Sequence, residues 1–247
     1  MKNLKLFSFL LILSIGSKAQ TTDSPGQSNG FIGVLGGMTM PSGNWTKVAY
    51  NDNTSGYAGN GTIFGIEGAY FFSKYVGIGG MVSYSTFNFK GLDSLSAGYQ
   101  NSFDVDKTTT SVNGGYSMWT FMPGLYLRYP FSDKFSVNAK VLAGFTSTTT
   151  PTITCDVFDG GRDDGNFIQQ ACTANSFGYM AGIGVSYNVL SWLGINLHAN
   201  YLSCQPDFYM DNINRPANVG RLITEYNQPL GAMSFTLGVA YIFAKSK

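Results

Sequence analysis

Charged residues are scarce in this sequence, and that scarcity narrows its possible functions. Asp, Glu, Lys and Arg make up 12% of the 247 residues, against roughly 25% in an ordinary soluble domain. The formal net charge is +1. This balance gives no electrostatic case for binding nucleic acid or an acidic partner.

Residue types that carry catalysis or bind metals are also sparse. The chain has one histidine, His198, and it has no phosphate-binding glycine loop, Cys-x-x-Cys pair or His-Glu-x-x-His motif. We therefore expect no enzyme, no cofactor and no catalytic or metal-binding residues. The acidic stretch Asp156–Asn166 could offer oxygen ligands to Ca²⁺, but its spacing does not match a calcium loop. We favour a solvated acidic loop there.

A long hydrophobic run is missing beyond the N-terminus. Residues 1–19 place Lys2 and Lys5 before the apolar stretch Leu6–Gly16, and small residues follow it. This pattern predicts a signal peptide that is cleaved before Gln20. The alternative, a membrane anchor, would need about 20 apolar residues. If the mature chain enters a membrane, strands must cross it.

Cysteine is rare, with three residues in the whole chain. Export permits disulfides, and Cys155 and Cys172 lie in one polar stretch, so they form the candidate disulfide. Such a bond would stabilise the fold by about 3 kcal/mol for a loop of this size. Cys204 is left over. Three unpaired thiols remain an alternative, because sequence alone cannot fix connectivity.

Alternation of apolar and polar residues dominates the rest of the chain. Period-2 alternation indicates half-buried strands, and each run has the roughly 9–11 residues that a tilted strand needs to cross a bilayer. Eight runs show it: Phe31–Met40, Thr62–Phe72, Tyr75–Phe89, Ser117–Tyr129, Lys134–Ser147, Phe177–Val189, Ser191–Leu202 and Ala232–Ala244.

The spacers between these runs are long and short in turn. The long spacers are rich in Asn, Asp, Gly, Ser and Thr, as loops are. They are Pro41–Gly61, Lys90–Tyr116, Thr148–Ser176 and Ser203–Gly231. The order predicts an all-β fold, an eight-stranded antiparallel up-and-down transmembrane barrel with short periplasmic turns and four long extracellular loops. We assign residues 20–29 to a short polar lead-in and 30–247 to one outer-membrane β-barrel domain.

The two faces of the predicted strands differ in kind. At every second position of each strand, which we call the apolar parity, the side chains are apolar. Aromatic residues lie near both ends of this set, as in the girdles of a transmembrane barrel. The other parity is mostly small and polar, which suits a tight barrel interior. A soluble sandwich or lipocalin-like barrel fits the period but explains neither the girdles nor the loop asymmetry. Pro123 lies inside a strand and requires a bulge or a missing ladder bond.

On these features the mature chain resembles the small eight-stranded outer-membrane barrels of Gram-negative bacteria, of the OmpA-transmembrane, OmpX and OmpW kind. Its ending, SFTLGVAYIFAKSK, is similar to the C-terminal strand signal that the barrel-insertion machinery recognises, although AKSK follows Phe243 where many relatives end on the aromatic. The resemblance implies the cell outer membrane, with its lipids and lipopolysaccharide, as surroundings. It says little about activity.

Two groups of residues are expected inside the barrel. Charged side chains in a lumen need partners, so for the first group we expect a structural charge network or, as the resemblance would allow, a gate. This group is Glu67, Arg128, Lys140 and His198. For the second group we expect ordinary packing or, as the OmpW resemblance would allow, a pocket for a small hydrophobic ligand. This group is Leu35, Met81, Met122, Leu142 and Met180.

These features favour a non-enzymatic protein with a structural or surface-interaction role, in which the long extracellular loops offer a surface to a protein partner. The alternative is a narrow gated pore or a conduit for small hydrophobic molecules. Lipid A deacylases of similar barrel size use a lipid-facing His and a nearby Ser. Here the alternation places His198 on the inward face, and the residue two positions later is Asn200 instead of Ser. Deacylase activity is therefore not expected.

Overall fold

The computed structural model describes residues 29–214 and 222–243, so the predicted signal peptide and nearly all of the lead-in lie outside the described residues. Strands dominate the described part. They are β1 Gly30–Ser42, β2 Ala58–Phe71, β3 Val76–Phe89, β4 Lys107–Asn113, β5 Tyr116–Pro130, β6 Phe135–Thr149, β7 Thr152–Asp159, β8 Arg162–Gln169, β9 Thr173–Asn188, β10 Leu193–Cys204, β11 Asp207–Asn214, β12 Leu222–Asn227 and β13 Leu230–Phe243. A 3-10 turn covers Gly43–Thr46, and one helix, α1, covers Leu92–Phe103.

Eight of these strands form a closed antiparallel barrel, which confirms the predicted fold. The order around the wall is β1-β13-β10-β9-β6-β5-β3-β2. Gly30 of β1 pairs with Phe243 of β13 on one side and with Tyr70 of β2 on the other, so the sheet has no free edge here. Among the helices in the described ranges, none is long and apolar enough to span a membrane.

The apolar parity faces outward along the whole barrel. Leu237 is 58% exposed, whereas Met122, on the opposite parity, is fully buried. On β6 the outward apolar band runs from Phe135 to Phe145. At about 3.4 Å per residue and a tilt of roughly 40°, this band is about 26 Å tall, which matches the apolar band of an outer-membrane barrel. The apolar side of the alternating strands therefore faces lipid.

Pro123 interrupts one ladder of the barrel wall. β5 and β6 keep the same register from Phe121↔Phe145 to Gly124↔Leu142, but the two intervening pairs are absent. The interruption is therefore a gap and not a bulge. Gly144 permits it, because a Cβ there would lie 2.0 Å from the Phe121 carbonyl oxygen and 3.1 Å from Pro123 Cδ.

The long spacers differ from the prediction, because three of the four contain strands. β4, β7, β8, β11 and β12 form a second, five-stranded sheet in the order β12-β11-β8-β7-β4. Only two or three residues separate each of these strands from the barrel strand that it continues. The wall of the barrel thus extends beyond the lipid-facing band. We call this second sheet, together with α1 and residues 43–57, the crown.

The crown has apolar cores of its own. Leu95 and Tyr99 of α1 pack with Tyr57, Ile153 and Cys155 in one buried cluster. A second cluster joins Ala174, Phe208 and Met210. Hydroxyl contacts bind α1 to β4, since Thr108 Oγ1 donates to the Ser96 carbonyl over 2.7 Å. Burial of this kind makes the crown an ordered layer rather than a set of independent loops.

Candidate functional site

Three charged or titratable side chains meet in the middle of the lumen. Lys140 Nζ donates to Glu67 Oε1 over 2.7 Å, and His198 Nδ1 lies 3.3 Å from Glu67 Oε2. His198 Nδ1 is also 3.1 Å from Lys140 Nζ. All three side chains are at most 6% exposed. We call Glu67, Lys140 and His198 the charge cluster.

Glycines on β9 make room for this cluster. A Cβ on Gly184 would lie 2.1 Å from His198 Cδ2 and 2.5 Å from a carbonyl oxygen. A Cβ on Gly182 would lie 2.4 Å from Asn200 Oδ1 and 2.9 Å from Lys140 Cε. The small residues of the inward parity therefore have a specific use, which is to let long side chains from β6 and β10 cross the lumen.

The charge cluster compensates its own buried charge and leaves little free space in the middle of the lumen. One carboxylate faces two nitrogen-bearing groups, an arrangement that compensates a buried charge. Two slots of about 10 Å³ adjoin His198, and each has the size of one water molecule. In this arrangement the cluster blocks the lumen to larger solutes.

Arg128 lies apart from these contacts, nearer to the short-turn end. Its guanidinium stacks on the Phe71 ring, with 3.9 Å between Cζ and the ring centroid. Of the four lumen charges named from the sequence, three form the cluster. Arg128 instead lines a cavity of about 320 Å³ at the short-turn end of the barrel.

The apolar residues named from the sequence pack as a core between the charge cluster and the crown. All five are buried in one cluster: Leu35, Met81, Met122, Leu142 and Met180. The cavity of about 320 Å³ is lined by other residues, on the far side of the charge cluster. These five side chains thus fill this part of the lumen in the structure.

Trp45 closes the outer end of the barrel, which the sequence did not indicate. It enters from the 3-10 turn, is fully buried, and packs on Phe87 with ring centroids 4.4 Å apart and on Tyr116 at 5.5 Å. Tyr116 OH donates to the Gly56 carbonyl over 2.7 Å and anchors the same segment. The signal available in the sequence was a tryptophan inside a polar spacer, which by itself does not specify a position.

The predicted disulfide is not formed, because the structure keeps all three cysteines as free thiols. Cys155 pairs across the β7–β8 hairpin with Phe167. Cys172 lies five residues farther along, a displacement of about 17 Å in extended chain, whereas bridged Cα atoms lie within about 7 Å. Burial raises the pKa of both thiols.

The acidic stretch Asp156–Asn166 forms the exposed end of the β7–β8 hairpin. Asp163 Oδ1 accepts a hydrogen bond from the Gly165 amide over 2.9 Å, and Asp106 Oδ2 accepts one from Gly160 over 2.9 Å. Within the described residues, no group of three or more His, Cys, Asp or Glu side chains could hold a metal ion.

Comparisons with known proteins address the family and the fold. The family model described as outer membrane protein beta-barrel domain matches residues 7–243. A search of curated proteins found no match.

Three similar solved structures are distant in sequence from this chain. OprG from Pseudomonas aeruginosa has a TM-score of 0.49 and 14% identity, over 90% of this chain and 100% of that one. Outer membrane protease OmpT from Escherichia coli has a TM-score of 0.46 and 10% identity, over 92% and 100%. Neisserial surface protein A has a TM-score of 0.43 and 13% identity, over 87% and 98%.

Proposed function

Because the chain belongs to the outer membrane protein beta-barrel domain family and resides in the outer membrane, we propose that it is a non-enzymatic surface protein whose crown binds a partner outside the cell. In this proposal the barrel anchors the crown in the membrane. The short turns face the periplasm, and the crown projects beyond the outer leaflet with its lipopolysaccharide.

The observation that carries this proposal is the ordered crown. A five-stranded sheet and a helix with buried cores form a rigid surface, and function concentrates on segments that a rigid scaffold positions. Tyr209 is 61% exposed and Phe103 is 41% exposed on this layer. Aromatic side chains of this kind are enriched in protein–protein interfaces.

The filled lumen also supports a surface role over a transport role. Trp45 blocks the outer end of the barrel, and the charge cluster blocks its middle. Eight strands leave an interior that side chains can just fill. A barrel whose lumen is filled at two levels is better suited to anchor a binding surface in the membrane than to conduct solutes.

The local surroundings of His198 support a non-enzymatic role. The imidazole is buried beside Lys140 and Glu67, and it faces the lumen. Its sequence neighbour on the same face, Asn200, donates to Ser234 Oγ over 3.2 Å. This arrangement leaves the imidazole in a structural network: among the described residues its polar contacts are Lys140 and Glu67, and neither is an activated nucleophile.

The C-terminal strand supports assembly by the barrel-insertion machinery. Phe235, Leu237, Val239, Tyr241 and Phe243 all point outward from β13 and are exposed to lipid. We infer that this row of side chains is the recognised surface. The last four residues, AKSK, lie outside the described residues.

Site-specific photo-crosslinking in intact cells tests the surface role. We would replace Tyr209 or Phe103 by benzoylphenylalanine, which conserves an aromatic side chain at an exposed position. The proposal predicts a discrete protein adduct from at least one of these positions. As matched controls, Phe131 at the short-turn end and Leu237 on the lipid-facing band should not give the same adduct.

Either of two results would contradict the surface role. Crosslinking confined to the control positions would place the partner at the short-turn end or in the lipid-facing band. Absence of any protein adduct from both crown positions, with normal assembly of the variants, would remove the evidence for a partner at the cell surface.

A narrow gated pore is a second candidate, because the charge cluster spans the lumen. If Glu67 and Lys140 act as a gate, Glu67→Ala or Lys140→Ala should produce conductance steps in planar bilayers, or change those of the refolded wild-type protein. Silence of the wild type and of both variants would exclude the gate.

A further inference from the structure

The one histidine of the chain lies inside the charge cluster. The His198 side chain is 6% exposed, and its Nε2 has no hydrogen-bond partner among the described residues. Imidazole is the side chain that ordinarily changes charge near neutral pH. The protonation state of His198 therefore decides the net charge in the middle of the lumen.

The ammonium group of Lys140 determines the role of the other ring nitrogen. An ammonium has three N–H donors and no acceptor. Three acceptors surround Nζ, namely Glu67 Oε1 at 2.7 Å, His198 Nδ1 at 3.1 Å and Met81 Sδ at 4.0 Å. Nδ1 can accept this hydrogen bond only through its lone pair, so the proton of the neutral imidazole lies on Nε2.

The side chains that face His198 come from all the other strands of the barrel wall. Those that can ionise are Glu67 on β2, Lys140 on β6 and Tyr126 on β5, whose ring centroid lies 6.0 Å from Lys140 Nζ. A phenol is neutral in the physiological range. At this level β1, β3, β9 and β13 present Leu35, Met81, Gly182, Gly184 and Thr236. Among the described residues, one carboxylate thus balances one ammonium while His198 is neutral.

Protonation of Nδ1 disrupts this arrangement. The new N–H would point at an ammonium 3.1 Å away, and the hydrogen bond from Lys140 would lose its acceptor. Glu67 Oε2, which lies 3.3 Å from Nδ1, can accept a hydrogen bond from the imidazolium. The described side chains of the cluster would then hold two cations and one carboxylate, and a buried charge without its own partner is strongly unfavourable.

We propose that His198 is a proton switch in the lumen. With a neutral imidazole, Nδ1 accepts a hydrogen bond from Lys140 and the charge cluster is tightly packed. With a protonated imidazole, Nδ1 donates to Glu67, Lys140 separates from the ring, and the packing in the middle of the barrel loosens. The slot of about 10 Å³ lined by Lys140 and His198 is the adjacent space for this movement. The switch requires neither a partner at the crown nor a conducting pore, so its test is separate from those above.

¹⁵N NMR of histidine tests the switch, because one histidine gives two ring-nitrogen signals that both belong to His198. The sample is the mature protein without a histidine tag, labelled with ¹⁵N-histidine and refolded in detergent micelles. Couplings to the ring protons identify each nitrogen. At pH 8 we expect the proton on Nε2 at least about tenfold more often than on Nδ1, because a hydrogen bond from a charged group is worth that factor. At pH 5 we expect both nitrogens to be protonated.

A second label follows the carboxylate. Glu67 and Glu225 are the glutamates of the chain, so Glu225→Gln leaves one ¹³C-carboxylate signal in protein labelled with ¹³C-glutamate. This signal should change over the same pH interval as the His198 nitrogens, because Glu67 gains the imidazolium as a donor. In a protein that also carries His198→Gln, whose side chain stays neutral, the signal should be constant from pH 8 to pH 5.

Lys140→Met distinguishes the switch from a histidine that is merely buried. Without the ammonium, Nδ1 keeps Glu67 Oε2 as its polar neighbour, so Nδ1 should be protonated already at pH 8. Tyr126→Phe is the matched control, because it keeps the ring near Lys140 and removes a hydroxyl that has no hydrogen-bond partner. Its ring-nitrogen signals at pH 8 should match those of the wild type.

The proposal is overturned if wild-type Nδ1 is protonated at pH 8, if His198 stays neutral at pH 5, or if the Glu67 signal does not follow the ring. It is also overturned if Nδ1 stays unprotonated in folded Lys140→Met. Heat-dependent gel mobility reports folding for each variant. If Lys140→Met fails to fold, the pH series of the wild-type nitrogens and of the Glu67 carboxylate still decide the matter.

Discussion

The charge cluster makes a quantitative prediction about stability in the membrane. Lys140→Met and Glu67→Leu each remove one partner of a 2.7 Å ion pair whose side chains are 4% and 5% exposed. The double variant removes both charges and replaces them with apolar side chains of similar volume. These three proteins and the wild type form a double-mutant cycle.

Each single variant should lose about 3–5 kcal/mol of unfolding free energy, because it leaves a buried charge without its partner. For Lys140→Met we expect the lower half of this range, since His198 Nδ1 stays 3.3 Å from the remaining carboxylate. The double variant should differ from the wild type by about 1 kcal/mol or less. The coupling free energy between Glu67 and Lys140 is then at least about 5 kcal/mol.

Equilibrium urea unfolding of the protein in lipid vesicles, followed by tryptophan fluorescence and gel mobility, measures these differences. The control cycle is Ser83→Ala with Thr120→Val, a buried pair of hydroxyls 2.7 Å apart, for which about 1 kcal/mol is expected. Single variants that cost under 1 kcal/mol would refute the reasoning. So would a double variant that costs the sum of the singles.

Three further predictions concern other parts of the molecule. Leu237→Arg should destabilise the protein in vesicles by about 2–4 kcal/mol, because Leu237 lies in the middle of the lipid-facing band. Gly184→Ala should cost about 1–3 kcal/mol in the same urea assay, because the added methyl overlaps His198. Iodoacetamide at pH 8 should modify Cys172 before Cys155, as read by mass spectrometry, because Cys155 is buried whereas Cys172 is partly exposed.

Each of these has a control and a contrary result. Leu237→Ala measures the loss of side-chain bulk, and an equal effect of Arg and Ala would contradict the lipid-facing assignment. Gly36→Ala adds a methyl on the outward face near Phe64, and it should cost less than Gly184→Ala. A Cys155–Cys172 disulfide in the isolated protein would contradict the observed hairpin register.

The barrel could be predicted from the sequence because its pattern repeats a simple physical rule. Side chains alternate across a strand, so residues such as Val185 and Leu237 mark the lipid face, while Gly184 and His198 mark the interior. The same parity put Glu67 and Lys140 in one lumen. The alternation does not predict the distance between these two side chains, which depends on how the barrel closes and on the space beside Gly182.

The crown could not be read from the same rule, because its strands are short and lie in polar spacers. Signals were nonetheless present. Residues 152–157 alternate and are rich in β-branched types, and Asp159-Gly160-Gly161 is a typical hairpin turn. Leu92, Leu95, Tyr99 and Phe103 have helical spacing. The overall composition of the spacers outweighed these local patterns.

The cavity at the short-turn end and the burial of Trp45 at the outer end could not be predicted, because both depend on tertiary packing. Phe31, Phe71 and Arg128 come from three strands, and Trp45 comes from a segment without alternation. No spacing in the sequence brings these side chains together. Their proximity follows from barrel closure and from the path of residues 43–57 over its outer end.

Tryptophan quenching by brominated lipids tests the central claim most directly, namely that the apolar parity faces lipid and the lumen is filled. The three tryptophans serve as probes in single-tryptophan variants. Trp119 and Trp192 are about half exposed on the outer surface, whereas Trp45 is buried over the lumen. We predict strong quenching of Trp119 and Trp192 and none of Trp45. Quenching of Trp45, or unquenched Trp119, would contradict the account.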